Sequence, residues 1–230
     1  MLTLQNVTVI YPDKTKAIDN LSFTLGGHEN IALIGENGAG KTSLLLAIVG
    51  ILAPAGGTVE VNGIRLCKKT VNEIRKQIGL VFQNPDDQLF MPLIYDDIAF
   101  GCRNYGLPEE DIEARVDETL DLLNISHLRG RSSLKLSGGE KRLAAIATVL
   151  AMNPSVLLFD EPTAYLDPKA KRALTEVLKK LRHPKIIATH DMVFAAGVCD
   201  RTVILKDGRI MADGAVSLLS DNELMRRCGL

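Results

Sequence analysis

The sequence has no excess of positive charge. Its 230 residues hold 27 lysines and arginines against 28 aspartates and glutamates, a formal net charge of -1. Proteins that live on nucleic acid carry a basic excess or a basic stripe, so no nucleic-acid partner is expected. Paired cysteines are missing too. Cys67, Cys102, Cys199 and Cys228 stand far apart with no zinc-site spacing, and they read as reduced, mostly packed thiols of a cytosolic protein. No basic start followed by an apolar run is present, so no signal peptide is expected. The longest apolar run, residues 44–53, falls far short of the ~20 residues that span a bilayer. Any membrane role must therefore come through a partner. Long linkers, low-complexity tracts and internal repeats are also lacking. The remainder is ordinary soluble composition, 46% hydrophobic and 24% charged. The length suffices for one large domain with its own core and a smaller lobe.

Short β-type segments fill the first third, at residues 2–11, 21–25, 30–34, 58–61 and 78–82. A helical stretch at 41–51 interrupts them, and Pro54 stops it. From residue 93 to about 136 the apolar positions recur at helical spacing, as in Ile112, Val116, Leu120, Leu123 and Ile125. Gly106-Leu107-Pro108 divides that stretch into two helices. Strands follow at 156–159, 186–188 and 202–205, with helices between them, and Asp207-Gly208 makes a hairpin turn into 209–212. Strands alternating with helices predict a mainly parallel sheet. The expected fold is α/β: a core with a mainly parallel sheet, an N-terminal antiparallel β subdomain and an inserted helical subdomain. Residues 1–83 and 137–230 would form the core with its β part, and residues 84–136 the helical subdomain.

Three segments carry chemistry. Gly35-Glu36-Asn37-Gly38-Ala39-Gly40-Lys41-Thr42 fits the P-loop pattern G-x-x-x-x-G-K-[ST], which arises by chance in only about 1% of chains this long. A buried-type strand precedes it and an apolar helix follows. Glycines let backbone N–H groups turn inward around a polyphosphate, and the helix N-terminus adds partial positive charge. Lys41 should reach the β- and γ-phosphates, and Thr42 should ligate Mg²⁺. The second segment is 156–161, an apolar strand ending in Asp160-Glu161. Ligands gather at such strand ends. Asp160 is placed to bind Mg²⁺ and Glu161 to polarise a water as general base. The third is Leu136-Ser137-Gly138-Gly139-Glu140, in which Ser137 and Glu140 make a capping box that opens a helix. Two glycines in a first helical turn are poor for stability. They make sense where a phosphate must approach bare backbone.

With these residues together, the chain resembles the nucleotide-binding subunits of ABC transporters along essentially its whole length. The order is the P-loop, Gln83, the signature at 136–140, Asp160-Glu161, Leu166-Asp167, and His190 after a strand. Glu140 stands where glutamine is commoner. The resemblance implies ATP held by Gly35, Asn37, Gly38, Gly40, Lys41, Thr42 and Ser43, with Tyr11 stacked on adenine. It implies Mg²⁺ at Thr42, Gln83 and Asp160, and catalysis by Glu161 with His190 and Gln83. Ser137, Gly138, Gly139 and Glu140 would meet the ATP of a second ATPase subunit, like or unlike this one, with Asp167 at their contact. The segment 81–90, reading Val-Phe-Gln-Asn-Pro-Asp-Asp-Gln-Leu-Phe, and residues 94–101 resemble energy-coupling-factor importers. The short form resembles their cobalt or nickel branch, with the vitamin importers as the alternative. That implies a transmembrane coupling subunit, a substrate-binding membrane subunit, and a peripheral place on the cytoplasmic face of the membrane.

Other classes fit less well. ABC ATPases of DNA repair carry long coiled-coil or DNA-binding parts, and translation-associated ones usually carry two such domains. A small-molecule P-loop kinase would not need the signature, Asp167 and His190 together.

Overall fold

One antiparallel sheet and one mostly parallel sheet organise the chain. A computed structural model describes all 230 residues. Strands β1 (Leu2–Ile10), β2 (Lys16–Leu25), β4 (Gly56–Val61) and β5 (Ile64–Arg65) form a four-stranded antiparallel sheet in the order β2-β1-β4-β5. The second sheet has six strands: β3 (Asn30–Ile34), β6 (Ile78–Val81), β7 (Val156–Asp160), β8 (Lys185–Thr189), β9 (Arg201–Lys206) and β10 (Arg209–Ala215). Their order is β10-β9-β3-β8-β7-β6. β3 pairs in parallel with both β8 and β9, and β7 with β8, while β10 returns antiparallel on β9. Every residue of β7 and β8 is buried. Strands covered on both faces need continuous rather than alternating apolarity.

The hairpin at Asp207-Gly208 forms with φ of 50° and 73°, the double positive pair a type I′ turn demands. The helix read over 41–51 is shorter. α1 (Lys41–Ile48) ends before Gly50, whose φ of 69° turns the chain ahead of Pro54. β2 is longer than the segment 21–25. Asn20 takes φ 53° there, a bulge that puts both Ile18 and Leu21 inside and so breaks the period of two. Asn6, at φ 52°, does the same in β1 between the inward pairs Leu2/Leu4 and Val7/Val9.

The chain divides into two compact units. The first comprises Met1–Leu80, Ser155–Glu161 and Arg182–Leu230. It holds both sheets, α1, α2 (Val71–Gln77), α7 (Met192–Val198) and α8 (Asn222–Cys228). Its core joins Leu4, Val9, Ile31, Leu33, Leu44 and Leu158, each at most 1% exposed.

The second unit comprises Val81–Pro154 and Pro162–Leu181. Its helices are α3 (Ile94–Asn104), α4 (Glu109–Leu122), α5 (Gly138–Leu150) and α6 (Pro168–Lys180). α4 starts after Pro108 and carries Glu109, Glu110 and Asp111 in its first turn, where the helix dipole favours acids. It buries Ile112, Val116, Thr119 and Leu120, one stripe at the spacing 0, 4, 7 and 8.

Candidate nucleotide site

The first unit gathers the residues expected to bind phosphate and to act in catalysis at the C-terminal ends of its parallel strands. The P-loop leaves β3 and enters α1 through Gly40, whose φ of 103° is open only to glycine without strain. A Cβ there would collide with the Ala17 carbonyl and lie 2.8 Å from Ile18 Cδ1. Gly35 is constrained by packing, since its Cβ would lie 2.6 Å from the Leu205 carbonyl oxygen. Asn37 and Gly38 are exposed at the crest of the loop.

Lys41 opens α1 with 6% of its surface exposed. Its Nζ donates to the carbonyls of Gly35 (2.7 Å) and Glu36 (3.2 Å) and lies 3.5 Å from Glu161 Oε1. Thr42 Oγ1 donates to Asp160 Oδ2 at 2.8 Å. Ser43, 8% exposed, shares a 2.9 Å hydrogen bond with the Tyr11 hydroxyl. Tyr11 is half-buried just past the end of β1, its phenol tied to the P-loop helix.

Asp160 and Glu161 are 5% and 6% exposed. Successive side chains of a strand point to opposite faces. Here Glu161 takes φ 42°, leaves the strand, and lets neighbouring carboxylates meet neighbouring residues of α1, Thr42 and Lys41. The Glu161 N–H donates to the Ala188 carbonyl of β8 at 2.8 Å, fixing the turn. His190 follows β8. Its Nδ1 is 2.9 Å from Glu161 Oε2, and its ring is 64% exposed. One carboxylate thus faces an ammonium on one oxygen and an imidazole on the other. Such a group can align and polarise a water beside a bound phosphate.

The residues also fit a magnesium ion. The Thr42 hydroxyl and the Asp160 carboxylate are hard oxygen donors brought together at the strand end. No cluster of three or more His, Cys, Asp or Glu side chains exists. Mg²⁺ characteristically takes one or two protein carboxylates and fills its remaining positions with substrate phosphate and water.

The second unit carries the signature. The Ser137/Glu140 capping box forms in full: Glu140 Oε2 accepts from the Ser137 N–H (2.8 Å) and Oγ–H (2.7 Å), and Ser137 Oγ accepts the Glu140 N–H (3.3 Å). Those donors from Ser137 hold the Glu140 carboxyl below its ordinary range. Ser137 and Gly138 are exposed. Beside them, Ser137, Gly139, Leu166, Asp167, Lys169 and Ala170 line an open groove of about 290 Å³. Asp167 also has a local task. It is the N-cap of α6 ahead of Pro168, and its Oδ1 accepts the N–H of Lys169 (2.8 Å) and Ala170 (2.9 Å). The Ala170 N–H in particular keeps the Asp167 carboxyl below its usual range. Gln83 is exposed, and its backbone carbonyl accepts from Arg142 Nη2 at 2.6 Å. The sequence reading passed over Arg142, although its spacing from Ala145, Ile146 and Val149 on α5 placed it on the buried stripe.

The chain is similar to known proteins along most of its length. A family profile described as ABC transporter matches residues 18–164. An energy-coupling factor transporter ATP-binding protein of Carboxydothermus hydrogenoformans is 41% identical over 230 residues, covering 99% of this chain and 85% of the relative. A cobalt import ATP-binding protein of Rhodobacter capsulatus is 41% identical over 236 residues, covering 100% of this chain and 84% of the relative. Among solved structures, cbiO1 from Clostridium perfringens, part of the ABC transporter complex cbiONQ, superposes with a TM-score of 0.88 at 36% identity, covering 98% of this chain and 92% of that one. A dimeric ATP-binding cassette in a post-hydrolysis state bound to ADP and Pi gives a TM-score of 0.83 at 27% identity, covering 94% of this chain and 99% of that one. The P-loop, the paired strand-end acids and the capped signature helix, joined to these likenesses, make the chain a member of the ABC transporter family, an ATP-binding subunit whose ATP hydrolysis is coupled to transport.

Proposed function

We propose that this chain is the motor subunit of an energy-coupling-factor importer for cobalt or nickel ions. The observation that carries the catalytic part is Glu161, held between Lys41 Nζ at 3.5 Å and His190 Nδ1 at 2.9 Å. In this reading Gly35, Asn37, Gly38, Gly40, Lys41, Thr42 and Ser43 hold the phosphates of ATP, and Tyr11 stacks on its adenine. The bond to Ser43 ties the Tyr11 hydroxyl to the P-loop helix. Glu161 takes the proton of the attacking water, and His190 orients both the carboxylate and the γ-phosphate. Thr42, Asp160 and Gln83 hold Mg²⁺, which supplies charge neutralisation for the phosphates.

A second ATPase subunit completes each site by presenting Ser137, Gly138, Gly139 and Glu140 to the γ-phosphate, with Asp167 at the contact. The dimeric likeness bound to ADP and Pi supports this assembly. No helix here is long and apolar enough to cross a membrane. Attachment to the cytoplasmic face then runs through a transmembrane coupling subunit and a substrate-binding membrane subunit. The cobalt-import relative and the cbiONQ structure favour the metal branch.

The test of the chemistry is Glu161→Gln. It should bind ATP, lose roughly 10²–10⁴ in turnover, and accumulate as a closed dimer. Near-normal turnover overturns the role of Glu161. The cargo is tested by affinity purification from native membranes in mild detergent. A small metal-binding membrane subunit supports the proposal, and vitamin-type substrate subunits replace the cargo while keeping the motor.

A further inference from the structure

Arg142 is a charged side chain with 1% of its surface exposed, in the second turn of α5. Burying a guanidinium is costly unless its donors are met. Here Nη1 donates to the Phe82 carbonyl at 2.7 Å and Nη2 to the Gln83 carbonyl at 2.6 Å. Two consecutive carbonyls suit the rigid fork of a guanidinium, whose donors are pre-organised, where a lysine offers a single ammonium on a flexible stem.

Two more ties span the same gap. Gln88 Oε1 accepts the Phe82 N–H at 3.2 Å, while Nε2 donates to the Ala145 carbonyl and to Thr148 Oγ1, both at 2.7 Å. Lys141 Nζ lies 2.6 Å from Asp86 Oδ1. Residues 82–88 are therefore fastened to α5 by side chains at both ends and in the middle. The Asp86 carboxylate is 57% exposed and screened by solvent, so that pair is the weakest of the three. Arg142 is buried and doubly bonded.

We propose that Arg142 is a positioning residue that locks the glutamine loop to the signature helix, so that Gln83 and Ser137 move as one body. The inference rests on the roles proposed above for those two residues. A push on the loop by a membrane partner then arrives at the signature without slack, and ATP drawing on the signature moves the loop. Coupling of this kind needs a contiguous physical link with two discrete positions. A loop that slid over α5 would absorb the displacement instead.

The test uses the full-length protein with Arg142→Gln, Arg142→Lys, Asp86→Lys, Lys141→Asp and the double swap. Hydrogen exchange of amides 82–90 and the kinetics of ATP turnover are measured together. Arg142→Gln should speed exchange in the loop and lower kcat, each roughly tenfold, with KM for ATP within about twofold. The P-loop groups lie in the other unit, which is why KM should hold. Arg142→Lys should fall between. Each single charge reversal should loosen the loop and slow turnover by about two- to threefold, and the double swap should restore both. If Arg142→Gln does not fold, Arg142→Lys carries the test of Arg142, and its unchanged exchange and kcat overturn the clamp. Looser exchange at unchanged kcat, a lower kcat at unchanged exchange, or a double swap that restores neither overturns the clamp. A wild type without ATP turnover overturns the functional reading, and the coupled role with it, whatever the exchange pattern. An active wild type with uncoupled exchange and kcat overturns the clamp alone.

Discussion

Replacing Gly138 by alanine separates what the signature does for the fold from what it does for ATP. Gly138 and Gly139 are the first two residues of α5, and neither has a positive φ. A Cβ on Gly138 would meet nothing nearer than the Tyr165 carbonyl oxygen at 3.9 Å, an ordinary contact. On Gly139 it would press on Ala170 Cβ at 3.1 Å, so Gly138 is the cleaner probe. The fold does not ask for glycine at 138. Alanine there loses less backbone entropy on folding and should stabilise by about 0.4–1 kcal/mol. In a chain of 230 residues that raises Tm by roughly 1–4 °C. Turnover should move the other way. A methyl group over the helix N-terminus holds a phosphate away from the backbone N–H groups, and losing one such donor costs on the order of 10²–10³ in rate. Calorimetry and phosphate release on the same preparation read both signs. Wild-type turnover would refute the argument, and so would a fall in Tm, because it would show that glycine serves the fold after all.

Gly40→Ala should do the reverse and lose on both counts: about 1–3 kcal/mol of stability from strain at positive φ, and at least roughly tenfold in ATP affinity. Thermal melts and a fluorescent-ATP titration check this, and unchanged binding would show that the P-loop backbone can shift without loss. Glu140→Gln tests the capping box by pH. The folded carboxyl sits below its ordinary value of 4.5, so its contribution is complete at neutral pH and is lost as pH falls through the depressed folded value. The glutamine variant keeps the acceptor for Ser137 but has nothing to titrate. Its Tm should therefore fall less than wild type between about pH 5 and 3. Superimposable curves would remove Glu140 from the acid response.

Much of the site was legible because its residues lie in short contiguous segments whose spacing is dictated by local geometry. The P-loop needs its glycines within eight residues, the capping box spans Ser137 to Glu140, and Asp207-Gly208 alone specifies its turn. Less legible were features decided by tertiary contacts. The phase slips at Asn6 and Asn20 depend on pairing with neighbouring strands, so alternation read along one strand predicted a shorter β2. Arg142 follows Lys141 in sequence and looks like half of a solvated pair. Only the stripe formed with Ala145, Ile146 and Val149 shows that it faces inward. Asp167 was read for an intersubunit contact alone, although Asp-Pro ahead of a periodic stretch is also a helix start.

The left-handed turn at Glu161 has a consequence for how this protein can be improved. A non-glycine residue at φ 42° stores about 1–3 kcal/mol, and the fully buried β7 and the bond to Ala188 hold it there. Glycine or asparagine would relax that strain. Selection for heat resistance without selection for turnover would therefore drift toward loss of this side chain, and, on the role proposed for Glu161, the most robust variants recovered would be motors that no longer run.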